Sequence, residues 1–371
     1  MSEVRIVPVS DGRELNRFIA FPYDLHRADP LWVPQLRMDV RTILSPVKNP
    51  FFQHAEVQCM TAVRDGRVVG RIAAIKNDAH NKEHGDKVGF YGFFESVPEQ
   101  PVANALFQAA GAWLKTKGFD TMRGPMNPSI NDDCGLLVDG FDTPPTLMMP
   151  HNPQSYVGLH EAFGFRKAKD MVALQSTHDQ LPERLTRGAH LVAERRGIKL
   201  RALDMKRFTA EVELVKQLYN QAWERNWGFI ALTDAEIEHL AKQLKPVVVP
   251  DLVVFAEKGS DVIGFAVALP DLNVALKKNP SGRLFPGLLK VLWHARHLSR
   301  LRVLLLGALK EYRHTGVDSL MYHWIWEKGY AKGFRWAEAG WVLEDNAPML
   351  NAALRLGFTP YKTYRIYDKA L

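Results

Sequence analysis

The chain has 371 residues, of which 46% are apolar and 24% are charged. This length exceeds that of one ordinary hydrophobic core, so two domains are expected, and the composition excludes a disordered or fibrous protein. Only two cysteines are present, Cys59 and Cys134, which excludes a disulfide framework. The N-terminus is too charged for a signal peptide, and no stretch has the length and apolar character of a membrane span. The sequence therefore predicts a cytoplasmic protein.

Two series of elements follow each other along the chain in the same order. Each series has a short strand, a helix, a β-hairpin, a buried strand, an amphipathic helix, a strand, a short helix and a last strand. The opening strand, first helix and buried strand are predicted at 5–9, 13–21 and 88–94, and again at 199–203, 208–227 and 303–309. Mixed strands with helices on both faces predict an α/β fold with a mixed (α+β) sheet in each half.

The helices can be placed by their apolar faces. In the first half, the helix that begins at Pro101 is expected to bury Val102, Ala105, Leu106, Ala109 and Trp113. Its counterpart is expected to bury Val317, Leu320, Met321, Trp324 and Ile325, which recur at helical spacing. The last helix is expected to begin after the N-cap residue Asn346 and to turn inward Met349, Leu350, Ala353 and Leu354.

The two series are related by a nearly constant spacing. The hairpin residues Ala62 and Ala256 are 194 residues apart, and Gly164 and Gly357 are 193 apart, whereas Gly118 and Gly333 are 215 apart. Two homologous halves, each with its own insertion of about twenty residues, explain these offsets. We therefore predict two tandem domains, residues 1–180 and 181–371.

A basic segment accounts for the net charge of +7. No acidic residue occurs between Asp271 and Glu311, and this window contains eight basic residues: Lys277, Lys278, Arg283, Lys290, Arg296, Arg300, Arg302 and Lys310. Such a window would attract a nucleotide cofactor, tRNA or lipid headgroups, or it forms a solvated helix face. Within it, residues 284–298 alternate apolar and basic faces, which fits a lid, a membrane-surface helix, a dimer contact or a packed element between domains.

The second half resembles the GCN5-related N-acetyltransferase (GNAT) superfamily. The resemblance rests on the buried strand before Leu309, the loop Arg313-x-x-Gly316-x-Asp318 that leads into a helix, and the ending Leu356-Gly357-Phe358. The opening Asp-Pro-Leu-Trp-Val-Pro at 29–34 and the ending Tyr-Lys-Thr-Tyr-Arg-Ile-Tyr at 361–367 are similar to bacterial proteins with two tandem domains of this kind.

The resemblance implies an acyl-CoA site in the second half. The loop and the helix N-terminus would bind the pyrophosphate, and strand N–H groups would hold the thioester carbonyl. The residues carried over for cofactor binding are Leu306, Gly307, Ala308, Leu309, Arg313, His314, Thr315, Gly316, Val317 and Asn346. Acetyl-CoA or another acyl-CoA is the expected cofactor, and no metal is expected.

The sequence departs from the family pattern at three places. Asp318 stands where the family prefers Gly or Ala, and Ala353 stands where the family often has a catalytic tyrosine. The first half has no such loop, since acidic sequence without glycine follows Glu95. We therefore predict that residues 1–180 form a degenerate domain that lies on the acceptor side or is structural.

Candidate catalytic and substrate-binding residues follow from these positions. His160 occupies the tyrosine position of the first half and titrates near neutral pH, or it is a surface histidine. Glu338 lies on the strand expected beside the thioester and would serve as the base. Glu344 is expected on the same strand face as Glu338, six residues away, and Glu344, Trp341 and Asn131 are candidate acceptor-binding residues.

These features predict an acyl-CoA-dependent N-acyltransferase that passes an acyl group, an acetyl group above all, directly to an amine of a small molecule or peptide. One alternative is a transferase of the Fem type, which pairs two such domains and takes aminoacyl-tRNA as donor. The other is a ligand-binding protein that kept the fold without catalysis, an alternative favoured by Asp318 and Ala353. The sequence does not fix the oligomeric state.

Overall fold

The computed structural model describes residues 3–177, 183–224, 226–313 and 315–371. The strands, in chain order, are Arg5–Pro8 (β1), Ala55–Arg64 (β2), Arg67–Asn77 (β3), Val88–Ser96 (β4), Thr121–Gly124 (β5), Met126–Asn127 (β6), Asp133–Cys134 (β7), Leu136–Asp139 (β8), Arg166–Ser176 (β9), Ile198–Ala202 (β10), Val253–Lys258 (β11), Asp261–Pro270 (β12), Arg300–Ala308 (β13), Trp336–Leu343 (β14) and Thr359–Ala370 (β15). The α-helices are Gly12–Leu25 (α1), Arg37–Ile43 (α2), Asp78–His84 (α3), Gln100–Thr116 (α4), Ser155–Phe163 (α5), Glu183–Arg196 (α6), Phe208–Trp223 (α7), Asp234–Leu244 (α8), Asn273–Leu276 (α9), Gly287–Ala295 (α10), Val317–Ala331 (α11) and Ala347–Arg355 (α12).

The chain folds into two compact units. Unit 1 contains Met1–Met171, Asn273–Ala295 and Lys362–Leu371, and unit 2 contains Val172–Leu272 and Arg296–Tyr361. Unit 1 therefore includes two segments of the second half of the sequence, part of the basic segment and the last ten residues. The domain boundary between residues 180 and 181 stays a prediction.

The sheet of unit 1 has the strand order β1-β2-β3-β4-β5-β15. The predicted hairpin joins β2 to β3 through Asp65 and Gly66, whose φ angles of 50° and 75° are those of a two-residue hairpin turn. Neighbouring strands are antiparallel except β4 and β5, which run parallel. Residues 362–370 of β15 therefore complete this sheet at the edge of β5.

Helix α4 covers one face of the unit 1 sheet. Its buried residues are Val102, Ala103, Leu106, Phe107, Ala110, Gly111 and Leu114. The predicted Ala105, Ala109 and Trp113 are half-buried, and Ala109 and Trp113 pack against this core. The buried face of α4 includes Phe107, because its ring packs among Tyr91, Phe94 and Phe165. This face is rotated around the helix axis relative to the predicted one.

The sheet of unit 2 has the strand order β9-β14-β13-β12-β11-β10. As in unit 1, neighbouring strands are antiparallel from β10 to β13, and the pair β13 and β14 is parallel. Helix α11 packs on one face with the predicted Val317, Leu320, Met321 and Ile325, while Trp324 is half-buried. The opposite face is covered by α7, so helices lie on both faces of the sheet.

Helix α12 begins as expected, because the side chain of Asn346 accepts a hydrogen bond from the Met349 N–H at 3.3 Å. Ala353 is buried, but Leu354 is exposed, so the prediction that Leu354 points inward was wrong. The helix has only nine residues, and its inner face is narrower than the sequence pattern suggested. The α/β mixed-sheet fold itself is confirmed. No helix within the described parts of the chain could cross a membrane, given its length and polarity.

Candidate functional site

Strands β13 and β14 of unit 2 separate partway along their length. They pair in parallel from Arg300 with Trp336 to Val303 with Ala339. Beyond that point β13 continues to Ala308 without a pairing partner in β14, and its register with β12 shifts by one residue between Val267 and Ala268. The divergence leaves one edge of β13 facing a gap in the sheet.

Hydrogen bonding to β12 shows which N–H groups of β13 face this gap. The Leu309 N–H donates to the Ile263 carbonyl at 2.9 Å. N–H groups point alternately to the two sides of an antiparallel strand, so the N–H of Gly307 also faces β12, while those of Leu306 and Ala308 face the gap. The prediction that Gly307 and Leu309 offer their N–H groups to a thioester was wrong, because both groups face β12.

The loop after β13 leads into helix α11 with a left-handed residue at the helix start. Gly316 is the N-cap of α11 and has a φ of 91°. A Cβ at this position would lie 2.9 Å from Val192 Cγ2, so both the backbone angle and the close packing require glycine. The N-terminus of a helix that follows a glycine loop can bind an anion, because its free N–H groups and the helix dipole favour negative charge.

Arg313 holds this loop against the end of helix α7. Its Nη2 donates to the Ala222 carbonyl at 2.8 Å, and its Nε lies 3.5 Å from the Ala308 carbonyl. Thr315 donates its hydroxyl to the Tyr312 carbonyl at 2.6 Å, and Val317 is fully buried in the core. The side chains of Thr315 and Val317 therefore make contacts within the protein that stabilise the loop. His314 lies outside the described residues.

A cavity of about 630 Å³ opens where β13 and β14 diverge. Six of the predicted cofactor residues line it: Leu306, Gly307, Ala308, Arg313, Gly316 and Asn346. Two acids, Asp318 and Asp345, and two arginines, Arg313 and Arg355, also line it. The cavity thus joins the gap-facing edge of β13 to the start of α11.

One wall of the cavity was not anticipated from the sequence. The end of α7 and the residues after it contribute Ala222, Trp223, Asn226 and Trp227. The ring of Trp223 lies against Gly307, since a Cβ there would come within 2.6 Å of the ring. Two tryptophans at the end of a predicted helix were the available signal in the sequence, but the contact of Trp223 with Gly307 arises only in the folded sheet.

Glu338 is fully buried on β14 and makes specific polar contacts. One carboxylate oxygen accepts a hydrogen bond from the Tyr361 hydroxyl, and the other lies 3.4 Å from Arg302 Nε. Arg302, itself buried, also donates to the Gly340 carbonyl at 2.8 Å. A carboxylate held in this way is oriented and shielded from bulk water.

The other candidates near β14 are placed differently. Trp341 is half-buried on β14, and Glu344 is exposed in the turn after the strand. The expectation that Glu344 shares a strand face with Glu338 was wrong, because β14 ends at Leu343 and strand alternation ends with it. None of Glu338, Trp341 and Glu344 lines the cavity.

His160 is a core side chain in unit 1. It is fully buried among aromatic rings that include Phe94, Phe107 and Tyr367. Burial lowers its pKa to about 4, although Nδ1 donates to the Tyr156 carbonyl at 2.7 Å. The expectation of a surface or cleft histidine was wrong, because the residue faces the α4 side of the sheet rather than solvent.

Unit 1 has the corresponding strand divergence, but its gap is filled. Strands β4 and β5 pair only from Val88 to Phe90. The Phe93 N–H donates to Asn127 Oδ1 at 2.6 Å, and a Cβ on Gly92 would lie 1.5 Å from the Met126 carbonyl oxygen. The insertion of the first half therefore occupies the space that stays open in unit 2.

A tyrosine completes the filling of this gap. In unit 1 the Val97 N–H donates to the Val69 carbonyl, and in unit 2 the Leu309 N–H donates to the Ile263 carbonyl in the same way. Val97 is therefore the counterpart of Leu309, and the preceding residue Ser96 is the counterpart of Ala308. The Ser96 N–H donates to the Tyr156 hydroxyl at 2.8 Å, and this hydroxyl also donates to Glu95. Burial opposes the charge of Glu95, but His26 at 2.7 Å and Arg71 hold its pKa below the usual range.

The insertion loop also contains Asn131 and Cys134. Asn131 is half-buried between β6 and β7, where its N–H donates to Ser129 Oγ at 3.2 Å. Cys134 is a buried, packed residue with its thiol 3.8 Å from the Ile130 carbonyl. Asn131 as an acceptor-binding residue stays a prediction.

Two curated proteins are similar to this chain over nearly its whole length. It is 38% identical to a bacterial ceramide synthase from Caulobacter vibrioides over 100% of this chain and 98% of that protein. It is 34% identical to protein YghO from Escherichia coli over 96% of this chain and 93% of that protein. No protein-family model matches the sequence.

Solved structures show the same fold at low sequence identity. A tandem GNAT protein from the clavulanic acid biosynthesis pathway matches with a TM-score of 0.57 and 13% identity, over 99% of this chain and 98% of that one. The GCN5-related glucosamine N-acetyltransferase region of a fungal multi-domain β-N-acetylglucosaminidase matches with a TM-score of 0.60 and 14% identity, over 100% of this chain and 38% of that longer one. The predicted GNAT superfamily fold is confirmed.

Proposed function

Because this chain belongs to the GNAT-fold family that includes the Caulobacter ceramide synthase, we propose that it is an acyl-CoA-dependent N-acyltransferase whose acceptor is a long-chain amino alcohol. A ceramide is the amide of such an amino alcohol and a fatty acid. The relative's name therefore specifies an amide bond between an amino alcohol and a fatty acyl group. The proposal replaces the expected acetyl group by a long-chain acyl group. It is favoured over the tRNA-dependent alternative by the 38% identity over the whole chain.

The open cavity of unit 2 is the observation that carries the proposal. It joins the gap-facing N–H groups of Leu306 and Ala308 to Gly316 at the start of α11. The helix start would hold the pyrophosphate of acyl-CoA, with Arg313 and Arg355 contributing positive charge. The two strand N–H groups would stabilise the negative charge that develops on the thioester oxygen.

The transfer needs a group that takes a proton from the acceptor. The amine attacks the thioester carbonyl carbon, the C–N bond forms, the C–S bond breaks, and the released thiolate takes up a proton. Glu338 is the candidate base, acting through water, because it lies on β14 one residue before the pairing with β13 ends, and Tyr361 and Arg302 orient its buried carboxylate. His160 has no part in this step, since it lies in the core of unit 1.

Asp318 favours a second candidate function, that of a ligand-binding protein without catalysis. It lies in the first turn of α11 and lines the cavity, where a carboxylate repels an anionic cofactor. Arg313 and Arg355 offset this charge. The catalytic and non-catalytic functions differ in whether bound acyl-CoA is consumed.

A thiol-release assay tests the proposed function. Purified protein is mixed with acetyl-CoA or palmitoyl-CoA and with a long-chain amino alcohol, glucosamine or a peptide amine, and the amide is identified by mass spectrometry. We expect thiol release and amide formation with palmitoyl-CoA and the amino alcohol. Glu338→Gln is expected to lower kcat by about 100-fold, and the control Glu327→Gln, at an exposed position of α11, to leave it unchanged. Binding without release of thiol by any acceptor would support the non-catalytic function.

A further inference from the structure

Part of the basic segment forms an anchored surface element of unit 1. The Arg37 N–H donates to the Gly282 carbonyl and Arg37 Nε donates to the Ser281 carbonyl, both at 2.8 Å. Gly282 has a φ of 61°, and a Cβ there would lie 2.2 Å from the ring of Tyr23. The chain before α10 is therefore fixed to helices α1 and α2.

Helix α10 is fixed in turn by Asn279. The side chain of Asn279 donates to the Arg283 carbonyl at 2.8 Å, and a Cβ on Gly287 would lie 2.2 Å from the same side chain. Gly287 and Val291, one turn apart, are the buried residues of α10. These contacts determine which face of the helix points outward.

The outward face is an apolar stripe formed by Phe285, Leu289, Leu292 and Trp293. Their exposed fractions are 68%, 65%, 52% and 60%. Among the described residues, Val47 alone is a more exposed large apolar side chain. Isolated exposed apolar residues are ordinary, but these four lie within nine positions, with Leu292 and Trp293 three and four residues after Leu289 on one helix face. Together they form a contiguous patch that marks an interaction surface.

The segment that carries the apolar stripe is positively charged. The segment from Asn273 to Ala295 has four basic residues and no acidic residue, and the four are all exposed: Lys277, Lys278, Arg283 and Lys290. An apolar face with aromatic and leucine side chains, bordered by lysine and arginine, has the composition of a helix that lies in a membrane interface. The charges complement anionic lipid headgroups.

We propose that the apolar stripe of α10 inserts into the surface of a bilayer that contains anionic phospholipids. The rings and leucines would enter the boundary between headgroups and acyl chains, while the four basic side chains contact headgroup phosphates. The inference stands on the exposure and charge of this segment. It does not depend on acyl transfer in unit 2.

Two other occupants fit the stripe less well. In a dimer formed through this surface, the stripe of one copy would face the stripe of the other. The basic residues of both copies would then come together. RNA would neutralise the charges but would leave the apolar side chains without a matching surface. A bilayer satisfies both features at once.

Vesicle flotation tests the inference without any acyl-CoA. The full chain is mixed with vesicles of phosphatidylcholine alone or with about 30% phosphatidylglycerol. We expect flotation with the anionic vesicles. Leu289→Glu/Trp293→Glu is expected to lower the partition coefficient at least about tenfold, whereas the matched Val47→Glu/Leu354→Glu variant, which changes exposed apolar residues elsewhere, should float like the wild type.

Lysine variants and the oligomeric state complete the test. Lys277→Gln/Lys278→Gln is expected to weaken binding to anionic vesicles and to leave the weak binding to phosphatidylcholine unchanged. Failure of the wild type to float, or equal flotation of Leu289→Glu/Trp293→Glu, would overturn the proposal. So would a wild-type dimer in sedimentation that this variant dissociates, because a second copy would then cover the stripe, or tight RNA binding that the apolar variant abolishes.

Discussion

Gly316 meets two separate structural requirements. Its φ of 91° lies in the left-handed region, and its Cα packs against Val192 of α6. The sequence motif predicted this glycine from the need for close approach to phosphate. The contact with Val192 could not be predicted, because it depends on how α6 packs on α11.

Substitution at Gly316 can be compared with a glycine of the same backbone angle. Gly333 has a φ of 92°, and a Cβ added there would meet nothing within 4 Å. Gly333→Ala is expected to lower the free energy of unfolding by about 1 kcal/mol from the backbone angle alone. Gly316→Ala should cost more and should also weaken coenzyme A binding. Equal effects of the two variants in denaturant unfolding and titration would contradict the role of the Val192 contact.

His160 makes the stability of unit 1 dependent on pH. Its folded pKa of about 4 lies below the unfolded value of about 6.5, so the neutral form is favoured by folding. This stabilisation is fully present above pH ~6.5 and is lost as the pH falls toward ~4, by up to about 3 kcal/mol. In urea unfolding at a series of pH values, His160→Phe should flatten that part of the profile. Parallel profiles for the two proteins would show that another group is responsible.

The residue patterns predicted the cofactor loop better than the walls of the cavity. Arg313, Gly316 and Asn346 were identified from a local motif, and all three line the cavity. Trp223 and Leu309 show why the rest was missed. Trp223 reaches Gly307 only through the packing of α7 on the sheet, and the N–H of Leu309 is directed by its register with β12.

At the scale of elements, strand β15 is the feature that sequence spacing did not reveal. The repeat predicted a last strand in each half, and both strands form. Residues Lys362–Leu371 nevertheless belong to unit 1, where Tyr364, Ile366 and Tyr367 are buried. Strand pairing is decided by tertiary contacts, so two strands with similar patterns can be assigned to either sheet.

Charged pairs within unit 1 fix the position of this strand. Arg123 binds Asp368 through two contacts of 2.7 Å, and Arg365 binds Asp170 at 2.7 and 3.0 Å. Removal of residues 362–371 is therefore expected to unfold unit 1, although its first 171 residues remain. Limited proteolysis with mass spectrometry should find rapid cleavage within that part of the truncated chain. Unchanged protection there would contradict the assignment of the strand to unit 1.

At the scale of the whole molecule, the two units have the same architecture and differ in whether the gap between their parallel strands is filled. In unit 1 the gap between parallel strands is filled by Met126, Asn127 and Tyr156. In unit 2 the corresponding gap is an open cavity that ends at Gly316. The repeat in the sequence predicted the shared fold, and the degenerate role of the first half, which rests on its missing glycine loop, stays a prediction. Met126 and Asn127 come from the insertion of the first half and Tyr156 comes from helix α5, and the sequence pattern did not disclose how these residues pack.

The number of coenzyme A sites per chain tests this account most directly. Isothermal titration with coenzyme A and octanoyl-CoA is expected to give one site per chain, because one unit has an open gap. Gly316→Glu should abolish binding, whereas Gly333→Glu, at a matched φ with free space around it, should bind like the wild type. Two sites per chain, or binding that survives Gly316→Glu in a folded protein, would contradict the placement of the cofactor in unit 2.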